Sequence, residues 1–166
     1  MSVRDGLRSY LEENGFTQAA YDARWTDASL LGIRFSVPNT PRHRWAIMLH
    51  DLHHVATGYG TDITGEGEVS AWETRRGLGD LGAYVSGIVL SATMAGVLIA
   101  PRRTWTAWWA PAATRSLFVR GIDYEALLAL SVGELRARLG IPRNGLCGHR
   151  RLHDLAPRRP DQAERS

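Results

Sequence analysis

The chain of 166 residues has the length of one ordinary domain, and at 44% hydrophobic residues it can bury a core without disulfide or metal staples. Its formal charge of +3 comes from arginine alone, since lysine is absent; the basic excess gathers at Arg150-Arg151 and Arg158-Arg159, the body is close to neutral, and no aromatic-plus-basic motif argues for a nucleic-acid partner. The single Cys147 excludes an intrachain disulfide or thiolate cage, fits a reducing cytoplasm and leaves any metal to His and carboxylate ligands, while MSVRDGLRSYLEENG lacks the basic and apolar regions of a secretory signal.

In chain order, residues 3–14 predict a short helix with Leu7, Tyr10 and Leu11 on one face and Asn14-Gly15 as its stop. Thr17 to Trp25 predicts a further turn or two. Residues 26–40 show no clear period and end in loop chemistry, Ser-Val-Pro-Asn-Thr-Pro. Thr40 as cap and Pro41 in the first helical position open the helix RHRWAIMLHDLHHVATG, which Gly58 stops. After the loop GYGTDITG, Thr64 is placed to cap a long helix running from near Glu66 to about residue 99, bent near Gly77-Leu78-Gly79 and ended by Pro101. Thr104 to Phe118 reads as a helix broken at Pro111, Asp123 to Leu130 as a short helix, and Ser131 with Glu134 as a capping box opening ELRARLG. No strand is convincing. The predicted class is all-α, a compact bundle around a long apolar central helix, with one domain over 1–156 and a polar, disordered tail over 157–166.

The chemistry concentrates in HDLHH. His50 and His54 are four residues apart, about 40° around a helix axis, so both rings lie on one face. Two imidazoles so spaced can share one ion. Asp51 lies about 100° from His50 and either joins at the edge of that face or orients an imidazole from behind. Glu66 follows a turn rich in Gly58, Gly60 and Gly65, which lets a carboxylate in the next helix face the histidines; Glu68 and Glu73 are rivals that spacing alone does not exclude. Two His with one or two carboxylates suit Zn, Fe(II) or Mn(II), and an incomplete shell leaves room for substrate. His53 points elsewhere and reads as a bystander. His43, seven residues before His50, reads as solvent-facing or as a support for the site. His149, His153 and Asp154 read as tail residues.

The string HDLHHVATGYGTDITGE reads as HDxxHx11E and resembles the signature of the Coq-four family, the fourth coenzyme Q biosynthesis protein. SVGELRARLGIP is similar to that family's C-terminal LR-x-x-LGI element, and the resemblance spans about residues 40–142. It implies that His50, Asp51, His54 and Glu66 bind a divalent metal, zinc foremost with iron and manganese as alternatives, and it selects Glu66 over Glu68. It also implies ring chemistry on an aromatic or quinone-type substrate: removal of a ring carboxylate coupled to hydroxylation at that carbon. The alternatives are a non-catalytic isoprenoid-lipid-binding scaffold with a structural metal, and a relative recruited to natural-product tailoring.

Leu81 to Ala100 carries no charge and is long enough to span a bilayer. Ala83, Gly87, Ser91 and Ala95 recur every four residues, a stripe that lets a helix or ligand approach closely. No second apolar span accompanies it, so a buried core helix is expected over a spanning one. Arg102, Arg103 and the Trp105, Trp108 and Trp109 cluster beyond it resemble an interfacial belt. With the resemblance, this implies an isoprenoid ligand and a cytoplasmic protein with peripheral contact at the inner membrane surface. A homo-oligomer is a further expectation. No nucleophile elbow, phosphate loop or Cys-His pair offers a rival chemistry.

Overall fold

A computed structural model describes residues 1–30 and 33–147. The predicted tail, with His149, His153 and Asp154, lies outside the described residues, as does the far boundary of the predicted domain.

Among the described residues seven α-helices carry the fold, packed around the apolar helix, as the class reading expected. Helix α1 is Val3–Glu13, capped by the Ser2 hydroxyl on the Asp5 amide. A 3-10 turn follows at Gln18–Asp22. Helix α2, Pro41–Thr57, starts on the Thr40 cap with Pro41 at its first position and stops at Gly58 in the left-handed region (φ 81°), as predicted. Helix α3 is Ile63–Arg76, and its cap is Asp62, not Thr64: the Asp62 carboxylate accepts the Gly65 amide.

The long helix predicted to run on to residue 99 is two helices. Gly77 (φ 98°) and Gly79 (φ 50°) take backbone conformations that end α3, and α4 restarts as Gly82–Ile99. Pro101 then opens α5, Pro101–Trp108. The predicted continuation to Phe118 does not form; no helix is assigned from Trp109 to Asp123. Helix α6, Tyr124–Ala129, forms within the predicted 123–130 segment and is capped by Asp123, and α7, Val132–Leu139, has the predicted Ser131/Glu134 capping box.

Among the described residues, the element outside the all-α reading is a two-stranded antiparallel hairpin, β1 Trp25–Leu30 with β2 Ile33–Pro38, in register Trp25 opposite Pro38. Its legible signal was the period of two in β2, where Ile33, Phe35 and Val37 alternate with Arg34 and Ser36.

The core joins Leu7, Tyr10 and Leu11 of α1 to Leu49, Leu52 and Val55 of α2, Val69 and Trp72 of α3, Leu117, Phe118, and Leu135 of α7. Helices α3 and α4 cross backbone to backbone: a Cβ on Gly67 would lie 2.5 Å from the Gly96 Cα. The face of α4 that packs is Val85, Val89, Thr93 and Gly96. The predicted small-residue stripe does not make this contact, because Ala83, Gly87 and Ser91 are exposed and only Ala95 is buried. The buried-core expectation therefore holds for one face of α4 only, and 28% of the helix is buried. The C-terminal element serves α2. Leu135 and Leu139 enter the core, Gly140 ends α7 in the left-handed region, and Ile141 is buried. Arg136 donates to the last carbonyls of α2, with Nε 2.7 Å from the Ala56 oxygen, and the Leu146 amide bonds the Thr57 oxygen.

Candidate metal centre

Helix α2 supplies His50, His53 and His54, and α3 supplies Glu66 in its first turn and Glu73 two turns later. The return between them is tight. Gly65 presses on the Gly60 carbonyl so closely that a Cβ there would stand 2.1 Å from the oxygen, which only glycine permits. This brings Glu66 back over the α2 histidines.

His50, His54 and Glu66 form a group whose ligand atoms all lie within 4.8 Å of one another. His54 Nε2 lies 3.1 Å from His50 Nε2. Glu66 Oε2 lies 3.2 Å from His50 Nε2, and Glu66 Oε1 3.3 Å from His54 Nε2. Neighbours around an ion at about 2.1 Å sit about 3.0 Å apart in octahedral and about 3.4 Å apart in tetrahedral arrangement. The observed separations fall in that interval.

The partners on the far side of each ring decide what these atoms present. His54 Nδ1 is 3.0 Å from the Tyr59 carbonyl oxygen, which can only accept, so Nδ1 carries the hydrogen and Nε2 presents a lone pair. His50 faces a carboxylate at each nitrogen, Glu73 Oε1 2.8 Å from Nδ1 and Glu66 Oε2 3.2 Å from Nε2, so its Nε2 offers a lone pair once the proton there is displaced. Two imidazole Nε2 atoms and a carboxylate thus crowd one point. Only a cation, a proton or a metal ion, relieves that arrangement. The His-His-Glu group is one that could hold a metal.

The electrostatics follow the same geometry. Burial opposes a charge on His50, but the Glu73 and Glu66 carboxylates more than offset it and hold its pKa well above the ordinary histidine value. Glu66 is opposed by burial and held far below the ordinary carboxylate range by His54 and His50. Glu73, likewise buried, is brought down to about 2 by the His50 charge and by hydrogen bonds from His50 and His53. Side-chain exposure is 0% at His54, 22% at His50 and 37% at Glu66, so the group opens to solvent on the Glu66 side.

Asp51 is not among the three converging ligands. Its buried carboxylate accepts the Tyr10 hydroxyl at 3.3 Å and the Tyr21 hydroxyl more closely. Tyr10 also stacks its ring on His54, centroids 5.4 Å apart, so Asp51 reaches the site through Tyr10. Burial raises the Asp51 pKa, and it raises those of Tyr10 and Tyr21, whose phenols stay protonated as donors.

Of the rival carboxylates, Glu68 is turned away into a two-pronged ion pair with Arg103, at 2.9 and 2.5 Å. Glu73 is fully buried behind the histidines. His53 is no bystander. It is fully buried between Trp72 and Phe118, its Nδ1 2.6 Å from Glu73 Oε1 and its Nε2 accepting the Leu117 amide at 2.8 Å. His43 is buried against the edge of Tyr84 rather than solvent-facing, and burial lowers its pKa. Sequence reasoning missed Tyr10 and Tyr21 as site residues. Tyr10 was assigned to a packing face and Tyr21 lies in a segment read only as a further turn or two, and neither position carries a signal that ties it to Asp51.

No curated protein and no solved structure is similar enough to match the chain. The model of the family described as Coenzyme Q (ubiquinone) biosynthesis protein Coq4 matches residues 44–144, more than half of the chain and the whole of the His-His-Glu group, and the protein belongs to that family.

Proposed function

We propose that His50, His54 and Glu66 hold a divalent metal, zinc foremost with iron or manganese as alternatives, and that the protein is a metal-dependent enzyme acting on an aromatic or quinone-type ring. The observation that carries this reading is the crowding of two Nε2 atoms and a carboxylate within 3.1–3.3 Å. Bound there, a divalent metal supplies a fixed positive charge that stabilises negative charge on a ring carboxylate or phenolate oxygen. The chain's own part is to hold the two imidazoles in one tautomer each and to keep Tyr10 stacked on His54 through Asp51. Three protein ligands and an opening beside Glu66 leave positions for substrate, which favours catalysis over a structural metal in a scaffold. The substrate class is shared by ubiquinone synthesis, with its decarboxylation and hydroxylation at a ring carbon, and by tailoring of other aromatic natural products.

The test is metal analysis of the purified wild type beside His54→Ala and Glu66→Ala. Both variants are expected to lose most of the bound metal. Full wild-type content in both overturns the assignment.

The outer face of α4 favours a second component of this reading. Leu90, Met94, Val97, Leu98 and Ile99 are exposed, and Trp105 and Trp109 stand exposed just beyond. We propose that this face meets an isoprenoid ligand or lies peripherally on a membrane from the cytoplasmic side.

A further inference from the structure

Glu73 is a costly residue to keep where it is. It is fully buried, and its Oε2 has no hydrogen-bond partner among the described residues. Removing a carboxylate from water costs several kcal/mol unless cations or donors compensate it. Here all compensation falls on the other oxygen, Oε1, which receives His50 Nδ1 at 2.8 Å and His53 Nδ1 at 2.6 Å.

The direction of each bond is set by a group that cannot reverse. The Leu117 amide can only donate, so His53 Nε2, 2.8 Å away, must accept, and the neutral His53 must carry its hydrogen on Nδ1. That hydrogen goes to Glu73 Oε1. His53 thereby pins the carboxylate from the side away from the opening, with Trp72 and Phe118 against its ring at 5.0 and 4.9 Å. The pinned oxygen is the one that holds His50. A ring held at Nδ1 has its Nε2 axis fixed, and Nε2 is the atom that faces His54 and Glu66.

We propose that Glu73, clamped by His53 and the Leu117 amide, is the positioning residue that aims His50 Nε2 at the bound cation. The inference rests on the metal reading above, and it assigns two residues that touch no metal. A carboxylate behind a ligating imidazole raises its basicity and fixes its orientation, and losing such a partner typically lowers metal affinity about 10–100-fold.

Co(II) serves as the probe, because its visible spectrum reports coordination geometry. Glu73→Gln keeps the side-chain volume and is expected to weaken Co(II) binding about 10–100-fold and to change the spectrum. His53→Gln is expected to weaken binding in the wild-type background and to have little further effect on top of Glu73→Gln, because the two act as one unit. Wild-type affinity and spectrum in Glu73→Gln overturn the proposal, even if the melting temperature falls, since a merely structural role moves only stability. Co(II) binding that is absent from wild type, or equal in wild type and His54→Ala, defeats the metal reading instead. In that event, or if the variants do not fold, long-range 1H–15N spectra of the metal-free wild type decide. Slowly exchanging Nδ1 hydrogens on both His50 and His53 support the clamp, and a His50 without one overturns it.

Discussion

Helices α3 and α4 cross backbone against backbone, and Gly67→Ala tests that crossing. A Cβ on Gly67 would stand 2.5 Å from the Gly96 Cα and 3.2 Å from the Gly96 nitrogen. Carbon atoms in contact prefer about 3.5–4.0 Å, so the helices must part by about 1 Å. The obstacle is backbone and has no rotamer to adopt. Overpacking of this kind costs about 1–3 kcal/mol, with the upper end expected here, and alanine returns about 1 kcal/mol of helix propensity. The net loss is about 1–2 kcal/mol. For a chain of this size each kcal/mol moves the melting temperature by about 2–4 °C, so a fall of about 2–8 °C is expected in thermal unfolding followed by circular dichroism. Glu66 adjoins the altered residue, and a shift of about 1 Å exceeds the roughly 0.5 Å within which a ligand constellation works, so metal affinity falls as well. Gly87→Ala is the control. Nothing lies within 4 Å of a Cβ there, so it should leave stability unchanged or raise it by up to about 1 kcal/mol. A Gly67→Ala protein that melts at or above wild type and binds metal normally refutes the backbone-to-backbone crossing.

Metal affinity should rise with pH. The metal-free His50 has a raised pKa and holds a proton near neutrality, so a metal must displace it, and affinity climbs about tenfold per pH unit until that pKa is passed. Titration calorimetry in buffers of different ionisation enthalpy should register the proton released; affinity independent of pH between 6 and 8 contradicts this. The same raised pKa gives the metal-free protein stability that is complete below the unfolded histidine value and is lost as pH rises through the folded one, which metal-free melts across that range would detect. Arg136→Ala removes the donors to the Ala56 and Arg143 carbonyls and should cost about 1–3 kcal/mol in denaturant titration while leaving metal affinity intact. Met94→Glu with Leu98→Glu, on exposed positions of α4, should abolish co-sedimentation with anionic phospholipid vesicles without lowering the melting temperature; unchanged sedimentation removes the membrane reading.

The helices whose ends are written in local chemistry were legible. Thr40-Pro41 with Gly58 bounded α2, and Ser131 with Glu134 opened α7, because caps act over three or four residues. The break between α3 and α4 was read only as a bend, since a glycine pair tolerates a helix and only packing selects the left-handed turn. The hairpin was hidden because β1 carries mixed polarity and only β2 alternates. At the site, the i, i+4 spacing of His50 and His54 reported a shared face, and the family signature singled out Glu66. The roles of His53 and Glu73 were not legible, because both depend on the Leu117 amide, some 60 positions downstream of His53 and brought in by tertiary packing alone.

The border of the family match runs through the surroundings of the site. The His50, His54 and Glu66 group stands inside residues 44–144, while Tyr10 and Tyr21, the two phenols that secure Asp51, stand before it. The N-terminal helix is held by the Val3 amide on the Leu130 carbonyl and by Leu7, Tyr10 and Leu11 in the core. The ion cradle thus lies inside the matched residues, and the phenols that secure Asp51 and stack on His54 lie outside them, so the setting of Asp51 belongs to this chain's own N-terminal segment.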